Sequence, residues 1–195
     1  RPYVYEVLYS GVSESLRNCL VFDTEIECAY LVGDFAIETD ADFTPDARHS
    51  ECYSGTFTLA AQRPTVCVRD VVQDGYPFFG GHLHVSFPYT YRAGDPTVLK
   101  LGGRFATCDV AVNGTPAGEM LFHREMELAP YLREGENTIT LDVANAMRNL
   151  MGPHHRPDPE PYGVGPGTFS FEKEWHGREC PGYVDRYAFV RFGIE

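Results

Sequence analysis

Residues 98–155 read VLKLGGRFATCDVAVNGTPAGEMLFHREMELAPYLREGENTITLDVANAMRNLMGPHH, and the reading of this stretch decides the fold. Cys108, Val110 and Val112 alternate toward one face before the chain meets Asn113-Gly114. That pair suits a type I′ turn, in which both central residues need positive φ. The return strand carries Pro116, which has no N–H for a ladder, so the strand belongs at a sheet edge or at a bulge. Residues 128–132 predict a helical turn or short connection. Glu134-Gly135-Glu136-Asn137 then makes a second turn, after which Ile139, Leu141 and Val143 alternate toward a core. A tight hairpin followed by another alternating strand predicts an all-β fold, a two-sheet jelly-roll sandwich.

The flanking sequence supports this. In residues 82–91, Leu83, Val85, Phe87, Tyr89 and Tyr91 share one face, and His82, His84, Ser86 and Thr90 the other. Residues 27–40 predict a half-buried strand, with Ala29, Leu31, Gly33, Phe35 and Ile37 on one side. Residues 41–55 read as a loop, and short strands are expected at 56–60 and 65–68. The C-terminal DRYAFVRFGIE predicts one closing strand with Ala188, Val190, Phe192 and Ile194 in line. Residues 3–9 suggest a further strand and 13–19 a helical turn. Eight to ten strands and no long helix are expected. The chain is read as a single domain over 1–195, with an N-terminal extension at 1–26. A long irregular loop insertion rich in Pro, Gly and His covers 146–182, and long loops of this kind are usually functional or disordered. Because the sequence begins at Arg1, it is read as a piece of a larger protein.

Composition sets limits. At 195 residues, 43% hydrophobic and 13% aromatic, the chain describes an ordinary globular protein. At this length roughly 70% of the unfolded surface can be buried without disulfides or metals. Nineteen Gly and 14 Pro imply many turns. A net charge of −12 argues against nucleic-acid backbones and anionic membranes as partners, since both need clustered Lys and Arg. The six cysteines (19, 28, 52, 67, 108 and 180) include no C-x-x-C pair and make no zinc site. Cys108 lies on the apolar face of its strand and reads as a buried free thiol. Localisation is left open, with the unpatterned cysteines favouring reduced thiols and a cytoplasmic setting.

Several of these segments are similar to the galactose-binding-like accessory domains of bacterial glycoside hydrolases, including family-two enzymes and relatives of the α-L-rhamnosidases. Val110-Ala111-Val112-Asn113-Gly114 resembles their strand-then-Asn-Gly signature. Residues 132–139 (LREGENTI) resemble their Leu-x-x-Gly-x-Asn-x-Ile turn. Asn145 with RNLMGPHH at 148–155, AYLVGDF at 29–35 and GYPFFGG at 75–81 resemble further segments of large hydrolases of that group. The resemblance covers 27–155 and the closing strand at 183–195. It implies a jelly-roll accessory or carbohydrate-binding domain, with a saccharide or the parent enzyme's catalytic domain as partner. Catalytic carboxylates in such enzymes lie on a separate barrel domain, which nothing here resembles.

The chemistry-bearing residues are weighed against their plain structural roles. Glycoside hydrolysis needs two carboxylates about 5–9.5 Å apart. Among 28 acidic residues some pair will meet that distance, so counting decides nothing. Glu172, Glu174 and Asp158 are the candidates in the long loop, and no catalytic pair is expected. His82-x-His84 has the geometry of some metal sites, with His154, His155 or His176 as a third ligand, but a hydrogen-bonded histidine pair is the favoured reading. No metal or cofactor is assigned. A structural calcium is left open, because carbonyl-based sites leave little trace in sequence. Trp175 beside His176 is a candidate sugar-stacking group, or else a plug for the sandwich end or a domain contact. Arg148, Asn149, His154 and His155 are candidate donors to sugar hydroxyls. Arg148 and Asn149 have an equally concrete alternative, tying loop backbone groups that no ladder satisfies. Tyr76, Phe78 and Phe79 would form a platform or pack under the sheet. The rival reading for the whole chain is a purely structural inter-domain module with no ligand of its own.

Overall fold

The computed structural model describes residues 29–163 and 183–195. The expectations at 3–9 and 13–19, and those for Cys19, Cys28, Glu172, Glu174, Trp175, His176 and Cys180, lie outside the described residues. The described chain is mostly β, arranged in several antiparallel sheets with one four-residue α-helix and one 3₁₀ turn. None of its helices is long and apolar enough to cross a membrane.

In chain order the strands are β1 (Phe35–Thr39), β2 (Thr44–Pro45), β3 (Ser50–Tyr53), β4 (Phe57–Ala61), β5 (His82–Tyr91), β6 (Val98–Lys100) and β7 (Gly103–Arg104). They continue with β8 (Thr107–Val112), β9 (Thr115–Met120), β10 (Glu125–Glu127), β11 (Gly135–Ala144), β12 (Tyr187–Val190) and β13 (Gly193–Ile194). The helix α1 (Arg148–Met151) lies between β11 and β12.

The largest sheet has the order β5-β11-β8-β9. Its hairpin turn forms as the sequence requires, whereas the second turn, expected over 134–137, ends earlier: residues 135–137 already belong to β11 and pair with β5. Asn113 and Gly114 both take positive φ (54° and 79°), the type I′ pattern. Pro116 falls on the edge strand β9, where the register also shifts: Ala111 pairs with Pro116 and Val110 with Gly118, leaving Ala117 as the extra residue of a bulge. Strand β11 lies in the middle, and Ile139, Leu141 and Val143 are almost fully buried. At ~1.5–3 kcal/mol for each buried aliphatic side chain, this strand alone supplies several kcal/mol of apolar burial. Cys108, a free thiol, is fully buried beside Val110 and Val112, and burial pushes it up to about 11.

A second sheet, β12-β3-β2, contributes Tyr53 and Phe189. One apolar cluster joins them to the inner face of the four-stranded sheet and to Phe192, Ile194, Val71 and Val72. This is the layered arrangement of a β-sandwich. Tyr76, Phe78 and Phe79 all pack against the core, with Phe79 stacked on Phe192 at 5.6 Å and Phe78 edge-on to Phe189 at 5.1 Å.

The structure corrects several sequence expectations. Of the strand expected over 27–40, the described part (29–40) is strand only in β1, whose partner β4 is five residues long; Tyr30, Leu31 and Val32 are exposed. The loop expected over 41–55 contains β2, a 3₁₀ turn and β3, all four residues of β3 being buried. Ser50 and Glu51 disguise that strand as polar loop; inside, the Ser50 hydroxyl donates to the Ala47 carbonyl. Residues 65–68 form no strand, although the Val68 carbonyl accepts from the Ile194 N–H at 2.8 Å. The single closing strand is split into β12 and β13, which pair with different partners, β3 and β7. Phe189 is buried along with Ala188, Phe192 and Ile194, while Val190 is only half-buried. Thirteen strands are described instead of eight to ten, several of them only two or three residues long. The region expected to be irregular from 146 contains α1.

The turn before β11 is held by Asn137, whose side chain is buried. Its Oδ1 accepts from Asn113 Nδ2 (2.8 Å) and from the Arg133 N–H (3.0 Å). Its Nδ2 donates to the carbonyls of Arg133 (2.8 Å) and Gly135 (3.0 Å). Replacing Asn137 by Ala strands these buried partners, each costing about 1–3 kcal/mol when unsatisfied. Asn137→Ala is expected to lower unfolding stability by about 3 kcal/mol in urea titrations. A loss below about 1 kcal/mol would show that the bonds are not limiting for the fold.

Candidate functional site

The polar residues following β11 converge on the edge of β12. Strand β12 pairs with β3 on one side only, so its other edge has unpaired backbone groups. The Asn149 side chain fills that role: Nδ2 donates to the Val190 carbonyl at 2.8 Å and Oδ1 accepts from the Val190 N–H at 2.7 Å. A primary amide presents one donor and one acceptor side by side, as a strand residue does, and here it substitutes for one. Asn149 is 1% exposed.

Arg148, one residue earlier, reaches three other groups. Its Nε pairs with Glu160 Oε2 at 2.9 Å, Nη2 donates to the Pro159 carbonyl at 2.9 Å and Nη1 to the Ala188 carbonyl at 3.4 Å. His154 Nδ1 lies 3.2 Å from that same Ala188 oxygen. Because a carbonyl only accepts, Nδ1 carries the proton and Nε2 is the bare nitrogen, buried and without a hydrogen-bond partner among the described residues. Burial, reinforced by the charge of Arg148, brings His154 down to about 4. His155 Nδ1 donates between the carbonyls of Val184 (3.2 Å) and Arg186 (3.1 Å), and its ring stacks on Tyr183 at 4.7 Å.

The four described residues that are candidates for sugar hydroxyls therefore come together, each with at least one polar atom bonded to the backbone of 184–190, while Arg148 also reaches Pro159 and Glu160. Trp175 and His176 lie outside the described residues. Asp158 is ion-paired with Arg48. His82 and His84 do not meet His154 or His155: they stand on the outer face of the large sheet, where their Nδ1 atoms lie 2.9 and 3.3 Å from Asp142 Oδ1. No group of three or more His, Cys, Asp or Glu suited to a metal is found among the described residues.

Beside α1 is a cavity of about 330 Å³. Its lining includes Arg104 of β7, Arg124, Asn145, Arg148, Glu160 and Arg191. Arg124 is held flat, 3.6 Å above the Phe105 ring, with Nη2 donating to the Phe105 carbonyl at 3.0 Å. Arg191 pairs with Asp70 at 3.3 Å, and Asp70 in turn lies near buried Glu51. Burial raises both carboxyls above their usual range, and their mutual repulsion adds to the rise of Glu51. Sequence reading singled out Arg148 and Asn149 but missed Arg104, Arg124 and Arg191. Those three lie on separate segments with no shared spacing, so only the folded register brings them together.

No protein-family model matches the chain, and no curated protein matches it significantly. Solved structures similar to it at 17% identity include a β-D-glucuronidase of Dictyoglomus thermophilum, with a TM-score of 0.31, covering 59% of this chain and 19% of that one. A rhamnosidase of Novosphingobium sp. PP1Y, also at 17% identity, has a TM-score of 0.36 and covers 86% of this chain and 16% of that one. The chain thus spans less than a fifth of the length of either structure.

The state of His154 sets an acid limit on this region. The folded chain holds the neutral ring, so its contribution is complete above the unfolded value of 6.5 and is lost as pH falls toward 4. Urea titrations of the native chain and of His154→Phe at neutral pH and near pH 4.5 should differ. The native chain is expected to lose on the order of 2 kcal/mol more than the variant over that interval. Equal losses would show that His154 does not report on acid unfolding.

Proposed function

We propose that this chain is a non-catalytic accessory domain, a jelly roll of the galactose-binding-like type, belonging to a larger bacterial glycoside hydrolase. In this reading it positions the catalytic domain or adds contacts to a saccharide. The observation that carries the reading is the hydrogen bond between Asn113 and Asn137. It ties together the two turns whose sequences resemble those accessory domains, so the resemblance falls on one structural unit and not on scattered matches. The carboxylates of the described loop support a non-catalytic role: Asp158 is committed to Arg48 and Glu160 to Arg148. A saccharide contact is assigned to the arginine-lined cavity and to the loop that carries Trp175 and His176. Arg148, Asn149, His154 and His155 then act as the frame of the site, since each already has a polar atom bonded to the backbone of β12 or the residues just before it.

One observation favours the structural inter-domain reading as an alternative. On the connection from β9 to β10, Phe122 is 94% exposed and Leu121 46% exposed. Neighbouring exposed apolar side chains of this kind suit a covered interface.

The two readings separate in a protein-observed NMR titration with galactose, rhamnose, glucose and short oligosaccharides. Millimolar binding with shifts centred on Arg104, Asn145 and Arg191 is the expected result. Absence of shifts with every sugar would leave only the structural module.

A further inference from the structure

We propose that the cavity beside α1 is an oxyanion site that takes the carboxylate of an acidic saccharide. The saccharide part rests on the accessory-domain reading, whereas the oxyanion part rests on charge and geometry alone. The chain has a net charge of −12, yet four of its sixteen Lys and Arg residues line this one small cavity. Among the described residues, Glu160 is the single acidic residue in the lining. A volume of about 330 Å³ lies at the small end of the range for small-ligand sites, ~300–1,000 Å³.

The four guanidinium groups are not equivalent. Arg148 is neutralised by Glu160, and Arg191 is shared between Asp70 and Glu195. Among the described residues, Arg104 and Arg124 have no carboxylate partner. Arg124 Nη1 is also buried with no hydrogen-bond acceptor. A buried N–H of a charged group left unpaired is costly, and an anion that accepts from it removes the cost. Stacking on Phe105 and the bond to its carbonyl already fix the plane of Arg124, so little side-chain freedom remains to be lost on binding. Arg104 is exposed at the rim and free to close on a ligand. Guanidinium forks match the two oxygens of a carboxylate. Asn145 adds a polar wall: its side-chain N–H donates to the Phe79 carbonyl at 2.8 Å, leaving its oxygen available to a sugar hydroxyl.

Isothermal titration of the 195-residue chain with sodium glucuronate, glucose and inorganic phosphate tests this. Glucuronate is expected to bind about tenfold or more tightly than glucose, with affinity falling as salt rises. Arg104→Glu should abolish that preference while leaving the thermal midpoint unchanged, because Arg104 contacts no carboxylate in the described fold. Arg104→Ala should weaken glucuronate binding about threefold to tenfold. If phosphate and glucuronate both bind and no neutral sugar does, the oxyanion site stands and the saccharide reading falls. If glucose binds as tightly as glucuronate, if Arg104→Glu changes nothing, or if no anion binds, the inference is overturned.

Discussion

The side chain of Asn137, buried under the turn that opens β11, holds the large sheet in a single register. Through Asn113 it fixes the far end of the β8–β9 hairpin, and through the carbonyls of Arg133 and Gly135 it fixes the entry to the central strand. Asn113 Oδ1 also accepts from the Thr138 N–H, so the two asparagines clamp β8 and β11 from both sides. Register matters here because the side-chain period of a strand is two. A slip of one residue in β11 would bring Thr140 and Asp142 into the core and push Leu141 and Val143 out. The buried face of β11 therefore opposes such a slip, and the asparagine clamp adds to that restraint. A buried amide with paired donors and acceptors has no equivalent position one residue away.

The same chemistry recurs at β12. Where Asn137 fixes a turn, Asn149 completes the edge of β12 by imitating a strand residue. The short helix α1 is what delivers it. A four-residue helix has little stability of its own, so its presence depends on Asn149 and Arg148 docking onto the backbone of 188–190. That docking in turn positions one wall of the arginine-lined cavity, with Arg148 and Asn149 on the helix side and Arg104 on β7 opposite. Fold closure and cavity geometry are consequences of the same contacts.

The strands that were legible in the sequence are those with clean period-two alternation closed by turn residues of restricted conformation. β5 and β11 end where their patterns end, and Asn113-Gly114 takes the backbone angles that its composition requires. β3 was hidden because Ser50 and Glu51 are buried polar residues: Ser50 is satisfied by the nearby Ala47 carbonyl, and Glu51 lies near Asp70 and Arg191, which are distant in sequence. The break between β12 and β13 was hidden because DRYAFVRFGIE keeps alternating while its partners change from β3 to β7. The candidate site divides in the same way. Arg148 and Asn149 belong to a compact motif and could be named; Arg104, Arg124 and Arg191 become neighbours only after the sheets stack.

The charge distribution bears most directly on what this molecule can bind. On the outer face of the large sheet, His84, Asp142, Asp109 and Glu119 stand directly opposite one another across four strands. Like charges facing each other across a sheet are destabilising, and His82 and His84 lean onto Asp142 at that row. Three carboxylates thus share one exposed row, while Arg104 and Arg124, without a carboxylate partner among the described residues, line a small recess. Inside the recess, screening by salt is weaker than on the surface. The net charge of −12, which argues against nucleic acid, is therefore compatible with a selective site for one small oxyanion.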